Sequence, residues 1–156
     1  MMRKPNLAEL AHVAEITAAI AVIISLIYVG QQVRENTAAI RSATMQAVAN
    51  SSDVALQNQA ASEQISRIRR IGDTDISALT PAEAARYWTI YRAIWIRMQN
   101  IHAQQQLGVL DDSFWYTYSK IICEIYDIPG ARAIWPSHAD VLDPEFVEFV
   151  ESCTEK

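Results

Sequence analysis

The residues that could do chemistry in this chain are few and do not converge. Glu9 and His12 are three positions apart, so both side chains lie on one helix face, as in half of a di-iron carboxylate site. Such a site needs a second Glu-x-x-His motif, and the sequence contains none. His102, and the pair His138 and Asp140, lack a nucleophile and an orienting group at catalytic spacing. The sequence therefore predicts no catalytic residue, no metal site and no cofactor, and we expect the protein not to be an enzyme.

Nucleotide and nucleic-acid binding are also disfavoured. The chain has no glycine-rich phosphate loop and no nucleophile-elbow motif. Its net charge of −5 is uneven, because residues 111–156 carry −7 and the residues before them carry +2. An acidic C-terminal third suits a solvated face or a basic partner rather than a phosphate backbone. Three arginines alternate with aromatic residues at helical spacing, which predicts a packed core flanked by charge: Arg86, Arg92 and Arg97 with Trp88, Tyr91 and Trp95.

The strongest single feature is an apolar segment near the N-terminus. Residues 16–33 form an 18-residue run without a formal charge, and its centre is apolar on every side of a helix. A helix that is apolar all round must be buried in protein or in lipid. As a helix the run measures about 27 Å, close to the thickness of a hydrocarbon core. We expect a membrane anchor formed by Ile16, Ile20, Ile23, Ile24, Leu26, Ile27 and Tyr28.

Two other interpretations of this segment are a signal peptide and a helix of the protein's own core. A signal peptide is disfavoured because Glu9 and Glu15 precede the run and no A-x-A cleavage site follows it. A helix buried in the protein's own core is the remaining alternative. Orientation rests on a tie, because Arg3 and Lys4 lie on one side and two arginines lie on the other. Further arginines downstream favour a single-pass protein with a cytoplasmic C-terminal domain.

The elements beyond the anchor are predicted to be helical throughout. Only 4 glycines and 5 prolines interrupt the chain, and no strand pattern occurs. Thr80, Pro81 and Glu83 form a capping box that starts a long helix, and Gly108 closes it. Later helices are predicted to start at Asp111 and Asp143, with a short helical turn between them that ends at Pro136, and Gly72 is expected to end an earlier helix in the left-handed conformation.

These elements predict an all-α fold with a long N-terminal transmembrane helix followed by a small helical bundle of three to four helices. We divide the chain into an anchor at 1–36, a helical stalk at 37–72 and a bundle domain at 73–156. The stalk carries half of a coiled-coil seam, which packs either on the chain's own domain or on a second copy. Its apolar positions recur every seven residues: Val33, Ile40, Ala47 and Val54.

Cysteine and tryptophan usage gives two further expectations. Cys123 and Cys153 are the two cysteines of the chain and lie on separate predicted helices outside any CxxC pair. We expect both to be unpaired residues of a protein in a reducing compartment. Four tryptophans in a small domain are mostly explained by a core. Trp135, next to Pro136 at a helix end, is the one expected to be exposed and used for contact.

Several short motifs resemble a group of small bacterial membrane-anchored helical proteins of unknown function. In that group an apolar helix ends in a Tyr-x-x-x-Gln-x-Arg-x-Asn-Thr pattern, which Tyr28, Gln32, Arg34, Asn36 and Thr37 match. The later matching stretches are Gly108-Val109-Leu110-Asp111 with Trp115, Pro129-Gly130-Ala131-Arg132 with Trp135, and Pro144-Glu145-Phe146. The resemblance covers the full length and implies the anchor and the all-α fold, but no activity.

The sequence therefore predicts a non-enzymatic interaction module, an accessory subunit, scaffold or regulator of a membrane complex. Its expected partners are membrane lipid and either a foreign protein or further copies of the chain, with no nucleic acid. Gln32, Arg34 and Asn36 lie where the helix leaves lipid, and Gln32 and Asn36 share one face through which a neighbouring helix is reached. The alternatives are a self-assembling homo-oligomeric ring or pore, and a soluble bundle that binds a hydrophobic ligand around residues 16–29.

Overall fold

The computed structural model describes residues 6–155, apart from the side chains of Glu9 and Glu155. These residues form six α-helices and two 3₁₀ turns, and no strand occurs among them. The all-α prediction is confirmed. The helices are α1 (Leu7–Ala61), α2 (Glu63–Gly72), α3 (Pro81–Gln106), α4 (Asp112–Asp127), α5 (Pro129–Ala139) and α6 (Pro144–Glu151), with 3₁₀ turns at Ile76–Ala78 and Ser152–Glu155.

Local capping chemistry explains most helix boundaries. Thr80 and Glu83 make the reciprocal bonds of a capping box at the start of α3, which satisfies two backbone donors that the helix leaves unpaired. Asp111 Oδ1 accepts from the Phe114 backbone N–H at 2.7 Å. Asp143 caps α6 in the same way. Gly108, which is predicted to close α3, directly follows the C-cap residue Leu107 and adopts a φ of +66°.

Contacts divide the chain between Ser42 and Ala43 into two units. The boundary lies six residues beyond the predicted end of the anchor. Most of the segment predicted as a stalk therefore belongs to the helical domain, where Val48 and Ile68 are buried in the core. The end of α1 has a polar surface, but its Met45 packs on the core and its Ser52 hydroxyl lies 3.1 Å from that of Tyr118.

The core of the domain is built around α3. Its buried residues follow the helical repeat that the sequence shows, and they pack against apolar residues of α2, α4, α5 and α6. The rings of Trp95 and Trp135 meet edge-on with their centroids 4.8 Å apart. The buried side chains of α3 are Tyr87, Tyr91, Trp95, Met98, Ile101 and His102. One predicted inward residue, Trp88, is instead 37% exposed.

Two glycines allow α2 and α5 to approach closely. A Cβ on Gly130 would overlap the Gly72 carbonyl oxygen, and a Cβ on Gly72 would lie 2.6 Å from the Tyr87 ring. The Gly130 backbone N–H also donates to the Asp73 carbonyl oxygen at 3.1 Å. The prediction that Gly72 turns left-handed is wrong, because its φ is not positive. It is the missing side chain that this position requires, not the backbone freedom.

Helix α5 is longer than the sequence predicts. The short turn expected to end at Pro136 is an 11-residue helix that contains this proline. A proline removes one helix hydrogen bond and crowds the preceding turn. Pro136 is exposed, so water can solvate the carbonyl group left without its helical partner.

The two cysteines form a disulfide, so the prediction of unpaired thiols is wrong. Cys123 in α4 and Cys153 in the final 3₁₀ turn have Cα atoms 5.3 Å apart, inside the range that a disulfide requires. Helix α6 brings them together, because its buried Phe146 and Val150 pack the C-terminal segment onto the core. Spacing along the sequence, 30 residues, carries no sign of this proximity.

Candidate membrane anchor and interaction residues

The predicted anchor residues lie on a helix surface that no other part of the described chain covers. Helix α1 is long and apolar enough to cross a membrane, and it is the one such helix in residues 6–155. Its most apolar 18 residues have a mean hydropathy of 2.2, and none of that stretch is buried. Each side chain is more than half exposed: Ile16, Ile20, Ile23, Ile24, Leu26, Ile27 and Tyr28.

The polar side chains of this segment are satisfied within the helix itself. Thr17 Oγ1 donates to the Val13 carbonyl oxygen at 2.7 Å, and Ser25 Oγ donates to the Ala21 carbonyl oxygen at 2.8 Å. A hydroxyl that bonds back to the preceding turn exposes no unpaired donor to its surroundings. Since lipid offers no hydrogen-bond partner, this arrangement makes both residues compatible with a hydrocarbon environment.

The described part of the charged start of α1 brings His12 close to Glu15. His12 Nδ1 lies 3.6 Å from Glu15 Oε2, with both side chains exposed. Across the described residues, no group of three or more metal-ligating side chains comes together. The side chain of Glu9 lies outside the described residues, so the Glu-x-x-His spacing is not tested by its geometry.

The residues predicted to lie where the helix leaves the lipid are all exposed. Gln32, Arg34 and Asn36 are exposed on α1. The heptad positions are exposed as well: Val33 is 59%, Ile40 57% and Val54 56% accessible, and Ala47 is also exposed. The two heptad positions that belong to the helical domain, Ala47 and Val54, therefore do not pack on its core. The contacts to the domain come from the neighbouring face that carries Met45 and Val48.

Trp135 is not the exposed contact residue that the sequence predicts. It is 3% exposed, its ring meets those of Trp95 and Tyr126 edge-on, and its Nε1 donates to Glu151 Oε1 at 3.1 Å. Because α5 continues past Pro136, Trp135 lies within the helix on its inner face. The tryptophan that reaches the surface is Trp88, whose Nε1 donates to Ser137 Oγ at 2.9 Å.

A polar cluster around Asp73 joins side chains from three helices. Asp73 Oδ1 accepts from the hydroxyls of Tyr87 at 2.9 Å and Tyr91 at 2.7 Å, while its Oδ2 lies 3.3 Å from Arg69. The Arg69 guanidinium also donates to Gln59 Oε1 at 2.9 Å and lies over the Tyr91 ring. The cluster thus joins α1, α2 and α3. No periodic signal predicts it, since its members are spread over the sequence.

Electrostatics in this cluster favour fixed protonation states. Burial raises the pKa of Tyr91 to about 12, and its bond to Asp73 adds to the effect. Burial works to lower the pKa of Arg69, but the neighbouring Tyr91 and Asp73 more than offset it, so the pKa is raised. Tyr91 and Arg69 therefore keep their protons near neutral pH.

Two of the three arginines of α2 form ion pairs within the domain. Arg67 pairs with Glu83 at the start of α3. The pKa of Glu83 is lowered to about 2, first by its bond to the Thr80 backbone N–H, then by the Thr80 hydroxyl and Arg67. Arg67 and Arg69 are thus engaged in the fold, whereas the neighbouring Arg70 is exposed.

The two domain histidines behave as core residues. The His138 ring is fully buried beside Trp88, with centroids 4.7 Å apart, and burial followed by the nearby positive charge of Arg92 lowers its pKa. His102 stacks on Phe149, and burial lowers its pKa although Asp143 and Glu145 act in the opposite direction. Both imidazoles are thus held neutral, and neither contacts a nucleophile in the described structure.

Comparison of the chain with protein-family models, with curated proteins and with solved structures finds no match in any of the three. The class that the fold itself defines is an all-α protein with one long apolar N-terminal helix followed by a helical bundle.

Proposed function

We propose that this protein is a non-enzymatic, membrane-anchored interaction module of a bacterial inner membrane. Helix α1 would hold it in lipid by a single pass, and the helical domain would serve as an accessory subunit, scaffold or regulator. The observation that carries the proposal is the exposure of every apolar side chain between residues 16 and 29. Large apolar patches on a protein surface mark contact with a membrane or a partner.

The free energies involved favour lipid over water for this segment. Fully burying an isoleucine or leucine side chain is worth about 2 kcal/mol. The six aliphatic anchor residues together would gain on the order of 10 kcal/mol on entering a bilayer. A gain of this size is comparable to the free energy of unfolding of a whole domain, so it favours burial of the segment over its exposure to water.

The alternative of a soluble bundle around a central apolar helix receives no support from the packing. In that arrangement residues 16–29 would be the most buried part of the chain, whereas none of the most apolar stretch is covered. The core is instead supplied by α3 and the helices around it. A ligand bound around this helix would find no enclosing protein wall among the described residues.

The first test places charge inside the proposed anchor. Changing Ile23 and Ile24 to glutamate adds about 5 kcal/mol or more to the cost of insertion. We expect the variant to lose membrane association, measured as the fraction that sediments with membranes after an alkaline carbonate wash. Val141→Glu is the matched control, because this valine is equally exposed but lies in the helical domain. Recovery of the unmodified protein in solution without detergent, as a monomer, would refute the proposal.

A homo-oligomer is the second candidate function, and the exposed heptad positions favour it. A seam with apolar residues at one heptad position and polar residues at the other gives weak association alone. Interhelical hydrogen bonds from Gln32 and Asn36 at the lipid boundary would add to it. Purification in mild detergent, with the intact mass recorded and co-purifying proteins identified, separates the two candidates. A stoichiometric foreign protein supports the interaction module, and a pure homo-oligomer supports self-assembly.

The second variant tests the boundary residues directly. Replacing Gln32 and Asn36 with leucine removes both amide side chains while it keeps the helix and its apolar character. We expect the assembly to weaken at least tenfold, seen as a shift of native mass towards the single chain on dilution. Ser42→Leu and Gln46→Leu serve as a paired control, because both residues are exposed, lie four positions apart on the same helix and are not part of the heptad seam. An unchanged native mass would exclude these two amides from the interface.

Two features bear on the side of the membrane on which the domain lies: the arginines downstream of the anchor and the disulfide. The sequence favours the cytoplasm through arginines downstream of the anchor. However, Arg67 and Arg69 are occupied inside the fold. The cytoplasmic assignment also conflicts with the disulfide between Cys123 and Cys153, because the bacterial cytoplasm keeps thiols reduced.

A further inference from the structure

We infer that the helical domain lies in an oxidising compartment, on the periplasmic face of the membrane, with the N-terminus of α1 in the cytoplasm. The inference rests on the proposed anchor for its membrane part and on the disulfide for its compartment. It reverses the orientation that charge counting favours. It also restricts the partner to proteins of the cell envelope whose contact surface lies outside the cytoplasm.

The fold itself brings the two cysteines together. Cys123 follows Ile122, which is fully buried, and Cys153 follows the buried Val150 by one helical turn. Both cysteines are half-buried at the edge of this core. The packing of α6 on the domain therefore fixes the two Cα atoms 5.3 Å apart. Unpaired thiols held at that separation would oxidise readily in any compartment that supplies an oxidant.

Neither metal binding nor redox activity accounts for the two cysteines. The chain has no further cysteine, and neither sulfur belongs to a group of metal-ligating side chains in the described residues. The two residues are 30 positions apart, unlike the CxxC spacing of redox-active dithiols. A stable structural disulfide is what remains, and such bonds belong to secreted and periplasmic domains.

The chemistry of bond formation needs an electron acceptor, which the periplasm supplies as an oxidised thiol–disulfide oxidoreductase. One cysteine thiolate attacks a sulfur of the carrier disulfide, and the second thiolate then attacks the mixed disulfide. One intramolecular S–S bond forms and the carrier's S–S bond breaks. Two electrons and two protons pass from the cysteine pair to the carrier, which leaves as a dithiol.

Charge at the membrane boundary does not oppose this orientation. Arg3 and Lys4 precede the apolar run, and Arg34 and Arg41 follow it closely. The positive-inside rule counts basic residues in short flanking segments, and two lie on each side. The more distant Arg67, Arg69 and Arg70 lie more than thirty residues beyond the apolar run, outside the flanking segment of about 15–20 residues that the rule counts.

The test measures thiol state and location on the full-length protein in bacterial cells. Cells are quenched with acid and treated with a maleimide that adds a large mass per free thiol. We expect no mass addition without reductant and two additions after reduction, with the Cys123→Ser, Cys153→Ser double variant unlabelled in both. A C-terminal fusion to alkaline phosphatase, which is active only when its own disulfides form, should be active. Two labelled thiols without reductant, or an inactive fusion, would each overturn the inference.

Membrane association is scored on the same samples, so the two claims fail separately. Sedimentation with membranes together with free thiols would leave the anchor in place and put the domain in the cytoplasm. A blocked pair in a protein that is released with the soluble periplasmic fraction would uphold the compartment and remove the anchor. The phosphatase readout does not require the domain to fold, so it remains decisive if loss of the disulfide unfolds the double variant.

Discussion

Replacing Gly130 with alanine is expected to destabilise the helical domain by about 3 kcal/mol or more. The new methyl group would overlap the Gly72 carbonyl oxygen and lie 2.6 Å from the Tyr87 hydroxyl oxygen. Backbone atoms cannot rotate away as a side-chain end can, so α5 must shift from α2 as a whole. Overpacking of a well-packed core costs about 1–3 kcal/mol, and more where backbone must move. The helix preference of alanine over glycine returns only about 1 kcal/mol, so the clash dominates.

The measurement is thermal unfolding of the full chain in detergent, followed by tryptophan fluorescence. All four tryptophans lie in the domain, at 88, 95, 115 and 135, so the signal reports on that unit alone. A loss of 3 kcal/mol lowers Tm by on the order of 10 °C for a domain of this size. Gly30→Ala is the matched control, because a Cβ there meets nothing within 4 Å, and it should leave the domain Tm unchanged. Equal Tm values for the two variants would contradict the close approach of α2 and α5.

The sequence predicts the parts of this fold that depend on local chemistry. The capping box at Thr80, the cap at Asp111 and the helix end at Gly108 are each set by residues within one helical turn, and all three are confirmed. The inward faces of α3 and α6 follow from periodicity for the same reason. The apolar helix that is long enough to span a membrane is also evident, because its signal is contiguous.

The predictions that fail depend on contacts between distant residues. The sequence predicts an exposed Trp135 because Pro136 is interpreted as a helix end. Only the packing of α5 against α3 shows that the helix continues past this proline. The disulfide and the Asp73 cluster join residues far apart in the chain, and no local pattern encodes such pairings. The same holds for Gly72 and Gly130, because each position lacks room for a side chain only where another part of the fold approaches it.

Replacing Asp73 with alanine is expected to cost about 3 kcal/mol of domain stability. The carboxylate is the common acceptor for Tyr87, Tyr91 and Arg69. Tyr87 and Tyr91 are fully buried residues, so their hydroxyls lose a partner that water replaces poorly. A buried donor left unpaired costs about 1–3 kcal/mol. Asp73 itself is 28% exposed at its side chain, which lets some water enter and keeps the total below the sum of separate losses.

A double-mutant cycle shows whether the cluster acts as one unit. Tyr91→Phe removes a hydroxyl that donates to Asp73 and accepts from Arg69 Nη2 at 3.1 Å, so alone it should cost about 2 kcal/mol. In the Asp73→Ala background only the bond from Arg69 is left to lose, and the cost should fall to about 1 kcal/mol. The coupling energy is then about 1 kcal/mol or more, as contacting residues show. Asp75→Ala is the control, since this exposed carboxylate caps only the neighbouring 3₁₀ turn through Ser77 and should leave Tm nearly unchanged. Additive effects of Asp73→Ala and Tyr91→Phe would mean that the carboxylate does not hold α2 against α3, and the cluster would then lose its assigned structural role.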